Sequence, residues 1–168
     1  MGAEAMTMRT RRRIRRPAAV WLVVALLAFL AIGGLGGGVA FVTDPTGATI
    51  GARLSWLQET PVSDFLLPGL FLLVVFAIGS VALIAGLLWR PAPGLLGRSA
   101  TWHHHWAWVG TIAMGVTLVA WILYELTIFS ERMVLQPILF GVGIAMAALC
   151  ALPSIRRYCA APARSWRR

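Results

Sequence analysis

Glu125 is the residue type most out of place in this chain. It stands beside Tyr124 inside a long apolar run, about 6 Å from the nearest polar connection at helical rise. A carboxylate in hydrocarbon is costly and points by default to ion or proton handling. The same position also lets the side chain reach the boundary or pair with Arg132 or Arg53. Gln136 follows across a short turn, where its amide can face Glu125 and share a hydrogen bond. Further charges, Asp44, Arg53, Glu59, Asp64, Glu131 and Arg132, lie in the two connections on the same side. Gathered at one mouth with Glu125, they would be five acids against two arginines and would favour cations. Dispersed, they are ordinary solvated loop charge.

His103-His104-His105 is the second conspicuous group. Imidazole is the commonest metal ligand and titrates near neutral pH. Consecutive histidines diverge on a helix, so His103 and His105 do not share a face. No acid or spaced cysteine motif stands beside them, and no other histidine exists to complete a bis-His haem site. The triplet reads as an interfacial belt with Trp102, Trp106 and Trp108, with His103 and His105 as weak metal candidates. No metal or other cofactor is expected. Cys150 reads as a small apolar filler and Cys159 as a free tail thiol. Phosphate-loop, HExxH and CxxC motifs are absent, and no nucleophile stands beside a base, so catalysis is not expected.

The elements that must position these residues are membrane spans. Of 168 residues, 59% are hydrophobic and only 12% charged, against about 25% charged in a soluble domain. Charges cluster between long uncharged runs. Four spans are expected, at 18–42, 65–89, 106–129 and 134–152, within a membrane domain of 18–152. Basic tails flank it at 1–17 and 153–168. About 20 residues cross the hydrocarbon core, and helices are the only open option there. The run that begins at Ala18 is too long for a cleaved signal region, so it reads as a retained first span.

Thirteen of the fifteen arginines fall in 9–16, at Arg90 and Arg98, and in 156–168. Arginine near span ends resists translocation. The expected fold is therefore an all-α, four-transmembrane-helix antiparallel bundle in a bacterial inner membrane, with both termini cytoplasmic. The net charge of +9 is a topology signal and not a nucleic-acid footprint. The Arg-rich tails are expected to meet anionic lipids.

Small residues mark where spans can approach. Gly33, Gly34, Gly36, Gly37 and Gly38 stand together in the first span and include two overlapping GxxxG spacings, Gly33/Gly37 and Gly34/Gly38. Gly141 with Ala145, and Gly143 with Ala147, repeat the spacing in the fourth. These ridges serve either packing inside the bundle or a second subunit. The loop at 43–64 is expected to be structured. Asp44-Pro45-Thr46-Gly47 suits a type I turn. Ile50, Leu54 and Leu57 fall at helical spacing, which predicts a short outer-surface helix over 48–58. Thr60-Pro61 and Ser63-Asp64 are start signals for the second span.

The pattern Asp44-Pro45-Thr46-Gly47, Gly51, Thr60-Pro61-Val62-Ser63-Asp64-Phe65 and Pro68-Gly69-Leu70, with Leu135-Gln136-Pro137, resembles small four-span bacterial membrane proteins of uncharacterised activity. The resemblance runs from the first span to the fourth. It implies a fold and no activity. Three functions stay open. The leading one is a non-catalytic accessory or scaffold subunit, with a membrane-protein partner or further copies of itself. The second is a small homo-oligomeric transporter or channel using Glu125 as a protonatable group. The third is a membrane redox, metal or haem protein working through His103–His105.

Overall fold

The computed structural model describes residues 17–58, 60–89, 105–128 and 134–160. Within them the chain is all-α. Helix α1 is Ala18–Thr43, α2 is Leu66–Trp89, α3 is Trp106–Ile128, α4 is Leu135–Ala151 and α5 is Pro153–Cys159. By length and composition α1, α2 and α3 can each cross a membrane, and α4 with α5, bent by 69°, makes up to a fourth span. Helices α1 to α4 are apolar around nearly their whole circumference, as lipid-facing helices must be. Ile32, Val74, Ile78 and Val116 remain exposed on the outside of the bundle.

Helices in lipid gain little from hiding apolar surface and associate by close packing. The buried stripe of α1, Val20, Val23, Leu27, Leu30, Gly34 and Gly38, follows the helical repeat. Its two glycines face α2. A Cβ on Gly34 would lie 2.9 Å from Ala77 N and 3.0 Å from Leu72 O; one on Gly38 would lie 2.9 Å from Leu73 N and 3.0 Å from Gly69 O. Gly69 reciprocates, its Cβ position 2.7 Å from Phe41 Cβ. The pairing runs antiparallel, with the two backbones nearly touching. Along this seam α2 widens into a π-helical stretch, Leu72–Ile78, where Gly79 N–H donates to Val74 O. Between α3 and α4 the same device recurs once: a Cβ on Gly115 would meet Gly143 O at 2.8 Å. Gly33, Gly36 and Gly141 have open space where a Cβ would go, so they pack against nothing within the described chain.

The end of the bundle opposite the 43–64 loop is closed by α5. Pro153 forces Leu152 into an extended conformation, at φ −60° and ψ 136°, which ends α4 and starts the bend. Residues 153–159, expected as the start of a polar tail, instead bury Ile155, Tyr158 and Cys159 and leave Arg156 and Arg157 exposed. Cys159 is thus a buried core residue outside any disulfide, and not part of a polar tail. The docking satisfies carbonyls that helix ends leave orphaned. Tyr158 Oη donates to Leu87 O at 3.0 Å, and the Trp108 indole donates to Cys150 O at 2.9 Å. His105 N–H donates to Cys159 O at 2.9 Å.

The loop departs from expectation. The helix predicted over 48–58 does not form. Two 3₁₀ turns, Ala48–Ile50 and Leu54–Leu57, stand in its place. Gly47 and Gly51 adopt φ of 77° and 73°, left-handed values that break a helix on either side of the first turn.

The glycine seam yields a paired prediction. Gly34→Ala is expected to lower stability by about 1–3 kcal/mol, the usual cost of overpacking. Gly36→Ala is expected to be neutral or to stabilise by up to about 1 kcal/mol through helix propensity. Unfolding midpoints in detergent check both. Equal midpoints for the two variants would mean that the helices do not meet at Gly34.

Candidate functional site

Above the packed core, at the loop end, the four long helices diverge around a cavity of about 510 Å³. That is within the range of small-molecule sites. Each wall follows from helical spacing. On α1, Gly33, Gly37 and Phe41 line it at intervals of four; on α3, Leu118, Trp121 and Glu125 do so at three and four; on α4, Gln136 and Leu139 at three. Leu72 and Phe76, within the widened part of α2, form the back, and Ile50, Trp56, Leu57 and Val62 of the loop form the roof.

The wall is almost wholly apolar, with one polar corner. Glu125 is half-buried there, and the polar groups of Trp121 and Gln136 stand beside its carboxyl. Gln136 is only 3% exposed. Tyr124 completes the corner. Trp121 is fixed from behind by stacking on Phe71, centroids 4.6 Å apart, and lies 6.1 Å from the Tyr124 ring. Thr60 also lines the cavity, but its hydroxyl donates to Leu57 O at 2.9 Å within the loop.

The cavity has an exposed edge. Ile32 and Leu135, on its α1 and α4 walls, are 73% and 54% exposed. Gly33 lies beside Ile32 with free space over its Cα. Ile50 and Gly51 of the loop line the cavity and are exposed as well, so apolar residues stand at its edge on the helices and on the loop alike.

The other sequence candidates go elsewhere. Asp44 is turned into its own loop. Its Oδ1 accepts from Thr46 N–H at 3.1 Å and from the Thr46 hydroxyl at 2.6 Å; its Oδ2 accepts from Thr49 N–H and the Thr49 hydroxyl, both at 2.8 Å. Gly47 N–H closes the turn on Asp44 O at 3.0 Å. Asp64 Oδ1 accepts from Leu66 N–H at 3.0 Å, at the start of α2. Neither acid lines the cavity, nor does Arg53. Glu59, Glu131 and Arg132 lie outside the described residues, as do His103 and His104. His105 Nδ1 accepts from Ala107 N–H at 3.3 Å, a cap for α3. Among the described residues no three His, Cys, Asp or Glu side chains come together as metal ligands. Gly34 and Gly38 sit in the α1–α2 seam, and Gly33, Gly34 and Gly37 line the cavity. Gly141 is exposed, and Ala145 is half-buried.

Trp121 is the site residue that sequence reading missed. Its signal was its place four residues before Glu125, which puts both on one helix face. Ser80 was missed as well: it is fully buried, and its Oγ has no hydrogen-bond partner among the described residues.

No protein-family model, curated protein or solved structure matches the chain. Of the architecture that the loop resemblance implies, the structure supports three to four long apolar helices consistent with a small multi-span membrane protein.

The Asp44 turn anchors the roof and carries a pH signature. Its four hydrogen bonds, chiefly the one from the Thr46 hydroxyl, hold its carboxyl down from the ordinary 3.8 to about 2. A lowered folded-state pKa stabilises above the unfolded value and is lost as pH falls through the folded one. Protection of the Thr46 and Thr49 amides from hydrogen exchange is thus expected to be full above about pH 4 and to vanish as pH falls through about 2. Asp44→Ala should abolish it at every pH. Protection unchanged in that variant would contradict the turn.

Proposed function

We propose that this chain is a small bacterial inner-membrane protein that takes an amphiphilic molecule from the bilayer into the loop-end cavity. The carrying observation is the cavity itself: about 510 Å³, apolar except for the corner at Glu125, with the exposed apolar residues Ile32 of α1 and Leu135 of α4 on its edge. A soluble ligand has no reason to enter through Ile32 and Leu135. A molecule already in the bilayer does, since its apolar part leaves one hydrocarbon setting for another. The polar corner lies near the helix ends, Glu125 three residues before the end of α3 and Gln136 one residue into α4, which suits a polar head group there. Among the functions left open this favours the small transporter or channel that uses Glu125, with Glu125, Gln136 and Trp121 as polar anchor. The arginine distribution supports both termini in the cytoplasm, which puts the cavity in the outer leaflet.

A second reading draws on a separate observation. Gly36 and Gly141 are open on the bundle surface and do not line the cavity. Small exposed positions in lipid suit a partner helix, as an accessory or scaffold subunit needs. Gly141→Leu tests it alone, because it blocks a partner and leaves the cavity intact.

Native mass spectrometry of protein released gently from its own membrane tests the first reading. One retained amphiphile per protomer is expected, lost in Gly33→Leu. That variant narrows the mouth where no atom stands within 4 Å of the new Cβ. Adducts retained equally by Gly33→Leu would be surface lipids, and the reading would fall. Foreign subunits that leave when Gly141 becomes Leu would establish the accessory reading.

A further inference from the structure

The wall of the cavity restricts the head group of its occupant. Glu125 is the only side chain on the described wall with a formal charge; no Arg or His lines it. A phosphate or carboxylate head would set like charges together in an apolar enclosure, which costs heavily without a counter-charge. The hydrogen-bond inventory has the same sense. An ionised carboxylate only accepts, at about four lone-pair positions. Trp121 and Gln136 stand beside it, and its lone pairs call for donors. The aromatic neighbours favour a cation too. Trp121 and Tyr124, with centroids 6.1 Å apart, line the same cavity as Glu125, and indole and phenol faces attract ammonium groups. Below this corner Leu30, Phe76, Leu118 and Leu139 offer only hydrocarbon.

Resting on the amphiphile reading above, we propose that the occupant is a lipophilic amine. Its protonated nitrogen pairs with Glu125 between Trp121 and Tyr124, and its apolar body lies against α1, α2 and α4. It enters sideways between Ile32 and Leu135. The site discriminates by charge at one end and is permissive at the other, so it accepts amines with varied apolar bodies and excludes fatty acids and phospholipids with net negative heads.

Three probes with one chain and different heads test this: dodecylamine, dodecanol and dodecanoic acid. Saturable binding of each is measured to the full chain in lipid nanodiscs, with empty nanodiscs subtracted. Dodecylamine is expected to bind about tenfold or more tightly than the other two, the scale of one charge-assisted hydrogen bond. In Glu125→Gln its advantage over dodecanol should collapse to about twofold or less, with dodecanol binding unchanged. The ranking on the unaltered protein decides the head group even where the variant does not fold. Equal binding of amine and alcohol, both lost in Gly33→Leu, would overturn the amine and leave the cavity as an amphiphile site. A preference for dodecanoic acid would overturn it likewise. Absence of saturable binding by all three, or binding indifferent to Gly33→Leu, would remove the amphiphile reading itself.

Discussion

Everything in this bundle depends on the near-contact of two helix backbones, α1 and α2, through Gly34, Gly38 and Gly69. In water such an approach is a detail of packing. In lipid it is the main attraction available, because the tails outside are as apolar as the core. Each glycine removes a side chain that would hold the backbones apart, and dispersion between main-chain atoms takes its place. Gly115 and Gly143 repeat the arrangement between α3 and α4.

Two tight pairs cannot be tight everywhere. At one end the space among the helices is filled by α5, whose Ile155, Tyr158 and Cys159 join Val20, Val23 and Met146 in a single core. At the other end no helix plays that part. A loop of turns roofs the gap, held by Asp44 and by Phe65, which stacks on Phe41 at 4.7 Å and whose N–H donates to Pro45 O. The cavity is what remains under that roof. Its polar corner sits where α3 and α4 approach their connection, so one carboxylate can be held off water without lying at the centre of the membrane. Packing thus makes the space, and three residues give it a chemical sense.

Apolar spans were legible in the sequence because they are written in periodicity, as uncharged runs of about 20 residues; spacing alone did not tell Gly34 and Gly38, which meet α2, from Gly33 and Gly141, which have open space. The turn at Asp44 was legible because Asp, Pro and Gly each have a backbone reason for their places. The helix over 48–58 was misread because Ile50, Leu54 and Leu57 imitate a helical face, while Gly47 and Gly51, which forbid it, count as only two residues in any average. The fold of 153–159 was hidden by its arginines, which suggest a tail; its buried face is only Ile155, Tyr158 and Cys159. Glu125 and Gln136 were recognisable as misplaced polar residues, but a cavity is an absence of atoms, and no residue type announces it. Which of the loop acids would meet Glu125 was equally beyond periodicity, since Asp44 and Asp64 are consumed by local backbone donors.

The central claim is that an amphiphile reaches the cavity from the bilayer. The most direct measurement is photolabelling in nanodiscs with a dodecyl amphiphile that carries a diazirine at its chain end, followed by residue-level mass spectrometry. The account predicts labels on cavity residues, Leu30, Phe76, Leu118 and Leu139, that an excess of unlabelled amphiphile suppresses. Labels confined to the lipid-facing side chains Leu67, Val74 and Ile78, with no suppression, would contradict it.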